Sequence, residues 1–150
     1  MVEDGLEVRS VDLREGEDYM RTHGEYDGIW CCHVLEHQRN VGDFLEKIRD
    51  ELVLDGLLAV TVPPAKQNLV GGHVTLWNAG LLLYNLILAG FDCSEARVGT
   101  YGYNVSVLVR KKLAEVPELK MDRGDIKTLA HLFPMVAYQN MDGQIENINW

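Results

Sequence analysis

The chain has 150 residues, 47% hydrophobic and 25% charged, with a formal net charge of −9. That length suits one globular domain, residues 1–150, able to bury roughly 70% of its unfolded surface. The acidic balance argues against nucleic acid as a partner, because phosphate binding needs clustered Lys and Arg.

The N-terminus, Met-Val-Glu-Asp-Gly, carries no basic-then-apolar signal pattern, which predicts a cytoplasmic protein. Three cysteines, Cys31, Cys32 and Cys93, make a poor disulfide framework and fit a reducing compartment. Leu6 to Leu13 alternates apolar and polar residues and predicts a short strand. Tyr26 to Val34 is mostly apolar and predicts a buried strand, in which burial is expected for Cys31, Cys32 or both. Val41, Phe44, Leu45, Ile48 and Leu52 recur at helical spacing, with Asp43 as N-cap and Asp55-Gly56 as the stop.

Leu57 to Val62 is a continuous apolar run, a second buried strand stopped by Pro63-Pro64. Ala65 to Gly72 reads as a loop. Trp77 to Ala89 predicts an apolar helix capped by Asn78 and ended by Gly90. The longest apolar stretch, Gly80 to Gly90, is too short to span a bilayer, so no membrane is expected. Two strands follow, Cys93 to Gly99 and Asn104 to Arg110, joined by Thr-Tyr-Gly-Tyr as an antiparallel hairpin. Arg110-Lys111-Lys112 reads as a solvated strand end. Leu113 to Trp150 is less regular, with a helical candidate from Ile126 to Phe133. The alternation of strands and helices predicts an α/β fold with a mostly parallel sheet, flanked by helices and closed by the hairpin.

Residues 26–112 resemble the class I S-adenosylmethionine-dependent methyltransferases. Tyr26-Asp27-Gly28-Ile29 is similar to the opening of the family's fourth strand. His33-Val34-Leu35-Glu36-His37 matches a run frequent just after it. Leu54-Asp55-Gly56-Leu57-Leu58 resembles the turn into the fifth strand, with Asp and Leu in place of two of the turn's usual residues. Val62-Pro63-Pro64 ends that strand as the family does, Ala89-Gly90-Phe91 matches the helix end before the sixth, and Val105 to Lys112 resembles the seventh. The resemblance implies a Rossmann-like fold with S-adenosylmethionine at the carboxyl edge of the sheet. It also implies cofactor contacts from an acidic residue, Asp12, and from Cys32 and His33 at a strand exit. The family's Gly-x-Gly-x-Gly loop is not found upstream of Tyr26, and the 25 residues there are too few for three strands and their helices. The expectation is a fold truncated on its N-terminal side: residues 1–25 atypical, 26–112 family-like, 113–150 an extension. A remnant, a piece of a longer parent and a compressed variant all fit. Asp12 reads equally as a solvated loop residue.

His33-x-x-Glu36-His37 is the sharpest chemical feature. At helical spacing its three polar side chains share a face, and His73, after the fifth-strand equivalent, would return to the same edge. Two subgroups of the family resemble this, the small-RNA 3′-end and ubiquinone-pathway O-methyltransferases. They hold a divalent metal with Glu-x-x-Glu-His, and the first adds a later histidine. The resemblance implies a ligand set of His33, Glu36, His37 and His73, whose nitrogens would favour zinc, iron or manganese over magnesium. The plainer alternative is that Glu36 and His37 orient the following loop, and that His73 anchors it.

Three functions follow. The first is a methyltransferase of unidentified small-molecule acceptor, with His37 or His73 as general base. The second is a non-catalytic remnant forming a homo-oligomer through an exposed sheet edge. The third is a His-x-x-Glu-His metallohydrolase, with Glu115 or Glu118 as a further ligand.

Overall fold

The computed structural model describes residues 26–150. The strand expected at Leu6 to Leu13, and Asp12 within it, lie outside the described residues. The described elements run β1 (Tyr26–Cys32), α1 (Val41–Glu51), β2 (Leu52–Val62), α2 (Ala79–Leu88), β3 (Arg97–Tyr101), β4 (Asn104–Arg110), α3 (Asp125–Leu129) and β5 (Asn147–Ile148), with short 3-10 turns at Leu35–His37 and Ala130–Leu132. Together they form a mixed α/β unit around one sheet, ordered β1-β2-β4-β3-β5. No helix among the described residues is long and apolar enough to cross a membrane.

β1 and β2 are parallel neighbours, with Ile29 opposite Leu58 and Cys31 opposite Val60. Their side chains alternate between two environments: Cys31 is buried, whereas Trp30 beside it is 80% exposed. On the buried face Leu58, Val60, Val62, Val98, Val105, Val107 and Val109 meet the apolar stripes of the helices. α1 contributes Phe44, Leu45 and Ile48, and α2 contributes Leu82, Leu83, Leu86 and Ile87. Each such side chain, taken wholly out of water, stabilises the fold by roughly 2 kcal/mol before entropy is counted. Gly90, at φ +94, turns the chain out of α2 in the left-handed conformation that glycine adopts without strain.

The sheet corrects the expectation of mostly parallel pairing. Among the described strands only β1–β2 is parallel; β2–β4, β3–β4 and β3–β5 are antiparallel. The reason lies in where the hairpin folds. β4 inserts between β2 and β3, so β1, β2 and β3 run the same way but β3 never touches β2. The hairpin also does not close the sheet, because β5 adds to its outer strand.

Smaller corrections concern boundaries. Asn40 caps α1, accepting from the Asp43 backbone N–H, while Asp43 sits inside the first turn. The helix ends at Glu51, and β2 starts at Leu52 rather than Leu57. Asp55-Gly56 is a bulge within β2: pairing jumps from Tyr26–Leu52 to Gly28–Leu57, with Asp55 at φ +66. β1 stops at Cys32, two residues early, and β3 starts at Arg97, four residues late.

Residues 113–150 are packed into the structure. Leu129, Leu132, Phe133 and Ala137 are buried in the core. Asp125 is also buried, its carboxylate accepting the backbone N–H groups of Lys120 and Asp122. β5 pairs with β3, and the Trp150 indole then lies on Gly99, where a Cβ would sit 2.6 Å from the ring.

Candidate metal centre

The parallel pair brings the conspicuous residues to one end of the molecule. β1 ends at Cys32, and His33 takes φ +52, an uncommon left-handed conformation for a side-chain-bearing residue. Its backbone N–H still donates to the Thr61 carbonyl at 2.9 Å, so the turn out of β1 stays tied to β2. The chain then makes the Leu35–His37 turn. After β2, the loop from Ala65 to Leu76 leaves at Pro64 and returns at Trp77, closed at its neck by a Pro64–Trp77 bridge and the Ala65 N–H donating to the Trp77 carbonyl. The loop is stitched to the turn, because the Val74 and Thr75 N–H groups both donate to the Glu36 carbonyl, at 2.8 and 3.3 Å.

Glu36 is the centre of the arrangement. It is 1% exposed, and its Oε2 has no hydrogen-bond partner. Its Oε1 lies 3.4 Å from His33 Nδ1 and 3.7 Å from His37 Nε2. His37 Nδ1 lies 2.8 Å from the Gly72 carbonyl oxygen. A carbonyl only accepts, so Nδ1 must carry the hydrogen. In the neutral ring, Nε2 then holds the lone pair, turned toward Glu36. This is how histidine ligands are held in metal proteins, one nitrogen donated to a carbonyl and the other presented to the ion. His73 faces His37 edge-to-face, the ring centroids 5.1 Å apart at 85°. Its side chain makes no hydrogen bond among the described residues. One ligand-capable atom from each of Glu36, His37 and His73 lies within 4.8 Å of the others.

His33 departs from the expected four-residue ligand set. Its Nε2 donates to Asn104 Oδ1 at 3.0 Å, and its ring stacks beside Tyr103. It flanks Glu36 from the β4 side and stands outside the three-residue cluster. His33, before the turn, and His37, at its end, approach Glu36 Oε1 at 3.4 and 3.7 Å. Cys32 is exposed at the end of β1. Neither Glu115 nor Glu118 belongs to the cluster. His37 and the Glu36 backbone hold the loop after β2, through Gly72, Val74 and Thr75, rather than the loop that follows them in sequence. It was His37, not His73, that took the loop-anchoring contact.

The neighbouring thiol is chemically quiet. Burial, then the nearby Glu36 and Cys32, push the Cys31 thiol up to about 12, so it stays protonated and is no nucleophile at neutral pH. Two contacts were invisible in the sequence, Asn104 to His33 and Gly72 to His37. The Gly71-Gly72 pair before His73 was the one available signal. Thr61, Ser106 and Tyr101 also join their hydroxyls across the sheet, at 2.8 and 3.1 Å, a network that no spacing rule would have found.

An open groove of about 320 Å³ adjoins the cluster, lined by Pro63, Lys66, His73, Leu76, Trp77 and Tyr103 among others.

Fold and site together describe a mixed α/β protein with a carboxylate–imidazole cluster at the shared exit of two parallel strands. No protein-family profile matches the chain, and no curated protein matches it in sequence. Among solved structures, the crystal structure of DszA carbon methyltransferase is similar, with a TM-score of 0.49 and 14% identity over 62% of this chain. The match covers 30% of that protein's chain.

Proposed function

We propose that the chain is the acceptor side of a Rossmann-like, S-adenosylmethionine-dependent methyltransferase, with a divalent metal held by Glu36, His37 and His73. Two observations support a site at this edge. Ligands of open α/β sheets bind outside the carboxyl ends of parallel strands, and β1 and β2 share that end. The observation that carries the metal is the buried Glu36, with Oε2 unpartnered and His37 Nε2 3.7 Å from Oε1.

Two nitrogens and a carboxylate suit zinc, iron or manganese better than magnesium. When bound, the metal supplies Lewis acidity that lowers the proton affinity of an acceptor oxygen. Glu36 brings the compensating negative charge and His37 fixes the geometry through Gly72. In the metal-free alternative, His73, at the mouth of the groove, takes the acceptor's proton on a ring nitrogen, because one neutral imidazole has a single lone pair and does not ligate and accept a proton at once. The cofactor supplies an electrophilic methyl group, and the chain's task is to align the acceptor with it and exclude water. Cys32 and His33, at the exit of β1, are the described residues nearest the cofactor side in this reading.

The test is elemental analysis of the chain purified without chelator, paired with calorimetric titration of S-adenosylmethionine. The expected result is one equivalent of a transition metal, lost in His37→Ala and in Glu36→Gln, together with measurable cofactor binding. A metal-free protein that takes up neither zinc nor manganese overturns the metal centre. Absence of cofactor binding at millimolar concentration overturns autonomous methyl transfer.

A second reading rests on β1. Among the described residues it is one of the two edge strands, and it carries the exposed Trp30. An assembly through that edge predicts an oligomer that Trp30→Ser weakens in sedimentation.

A further inference from the structure

The groove beside His73 carries information about what it would hold. Its lining includes Pro63, Pro64 and Trp77, the last 3% exposed, with its indole N–H donating to Thr75 Oγ1 at 2.9 Å. Its rim is apolar. Leu69 is 99% exposed, and Val74 and Leu76 are more than half exposed. An exposed apolar rim beside a concave surface marks a place where an apolar body is covered.

One positive charge faces this surface. Lys66 Nζ sits 4.3 Å above the Tyr103 ring centroid, and no carboxylate among the described residues pairs with it. The ring face holds the ammonium by cation–π attraction without neutralising it. This cation stands out in a chain whose net charge is −9.

We infer that the groove takes an apolar small molecule bearing one carboxylate-type anionic group, with the anion on Lys66 and the apolar body along Val74 and Leu76. This rests on the reading of His73 as an acceptor-side residue and names the acceptor's chemical class: a hydrophobic acid rather than a neutral or cationic molecule. The groove accommodates it on size, since small-molecule sites span roughly 300–1,000 Å³. Lys66 acts in binding only, and it is not one of the three clustered ligand residues.

The probes are 2-naphthoate and its isosteric carboxamide, titrated into the uniformly 15N-labelled chain in excess EDTA, so that no metal can recruit the carboxylate. Naphthoate is expected to shift the backbone amides of Lys66, Val74 and Leu76 and the Trp77 indole N–H. It should bind about fivefold more tightly than the carboxamide, the strength of one exposed charge pair. Lys66→Gln should erase that preference while leaving carboxamide binding unchanged, and Lys66→Arg should keep it. Equal affinities for the two probes, a preference that survives Lys66→Gln, or shifts confined to residues away from the groove would each overturn the proposal. The outcome is separable from the metal reading. Discrimination in EDTA with no metal found by elemental analysis would sink the metal and leave the groove, and the reverse pattern would do the opposite.

Discussion

Gly72 is where backbone conformation and site chemistry meet, so Gly72→Ala is the sharpest perturbation. The residue sits at φ +82, and a Cβ there would lie 3.2 Å from His37 Nδ1, the atom that donates to the Gly72 carbonyl. Forcing an L side chain into the left-handed region costs about 1–2 kcal/mol. Pushing the imidazole away weakens a hydrogen bond contributing about 1 kcal/mol net. The sum, about 2–3 kcal/mol, corresponds to a melting temperature lower by roughly 4–12 °C for a chain of this size. The same displacement removes the contact that fixes the ring of His37, a loss worth about 10–100-fold in metal affinity in comparable sites. The control is Gly71→Ala, where an added Cβ meets nothing within 4 Å. Thermal denaturation monitored by circular dichroism and competitive zinc titration read the two effects separately. If Gly72→Ala behaves like Gly71→Ala in both, the loop does not orient His37 and the account of its tautomer fails.

Other predictions follow from the same contacts. Asn78 caps α2 by accepting the Leu81 N–H at 2.8 Å, so Asn78→Ala should cost about 1 kcal/mol while Asn78→Asp retains most of it in urea denaturation. Iodoacetamide with mass spectrometry should label the exposed Cys32 first and leave the buried Cys31 and Cys93 unmodified until the chain unfolds. The Cys31 thiol, ordinarily near 9.0, is held up to about 12, chiefly by burial. The folded chain therefore keeps a proton that the unfolded chain loses. Its contribution is whole below about pH 9 and declines as pH rises toward 12, by about 1.4 kcal/mol per pH unit. Cys93 is raised too, for the same chief reason, so Cys31→Ala should reduce the alkaline slope of stability and leave a residue of it. An unchanged slope would show that Cys31 is solvated.

The elements were legible where periodicity and punctuation agreed. α2 was readable from Asn78 to Gly90, and β4 from Asn104 to Arg110, because a cap, an apolar run and a breaker coincided. Failures came where one residue type served two purposes. Asp55-Gly56 has the composition of a helix stop and serves as a bulge inside β2, since a glycine beside a left-handed residue suits both. Asn40 and Asp43 are both good caps, and only the backbone geometry shows that the first accepts from the second. The sheet order was hidden for a different reason. Whether β4 lies outside or inside β3 is decided by pairing β4 with β2 across more than forty residues of sequence, which no local pattern encodes. At the site, strand direction is what brings His73 to the edge where Glu36 and His37 lie. The separation of His33 does not follow from it, because His33 sits in a left-handed conformation before the Leu35–His37 turn, bonded to Asn104, and not on a common helical face with Glu36 and His37.

The spacing of the cluster sharpens the choice of what satisfies Glu36. At 3.4 and 3.7 Å from the two imidazoles, Oε1 is on the long side for a hydrogen bond to His33 and beyond one to His37. A proton on the carboxyl would shorten neither contact without moving a ring. A metal with bonds of about 2.0–2.2 Å holds tetrahedral ligand atoms about 3.4 Å apart, whereas the three here lie within 4.8 Å. Binding therefore requires the ligands to draw together. The mobile partner must be His73, because Glu36 is buried and His37 is pinned to Gly72. His73 rides on a loop already tied to the Leu35–His37 turn through Gly72, Val74 and Thr75, so its side chain turns toward the pair and metal should tighten the loop on the turn. Hydrogen exchange is then expected to slow at His73, Val74 and Thr75, whose N–H groups donate to Val70 and Glu36, and to stay unchanged at Ala65, already closed at the neck. Slowing spread evenly over the chain would indicate global stabilisation alone, and no slowing in the loop despite stoichiometric metal would place the ion elsewhere.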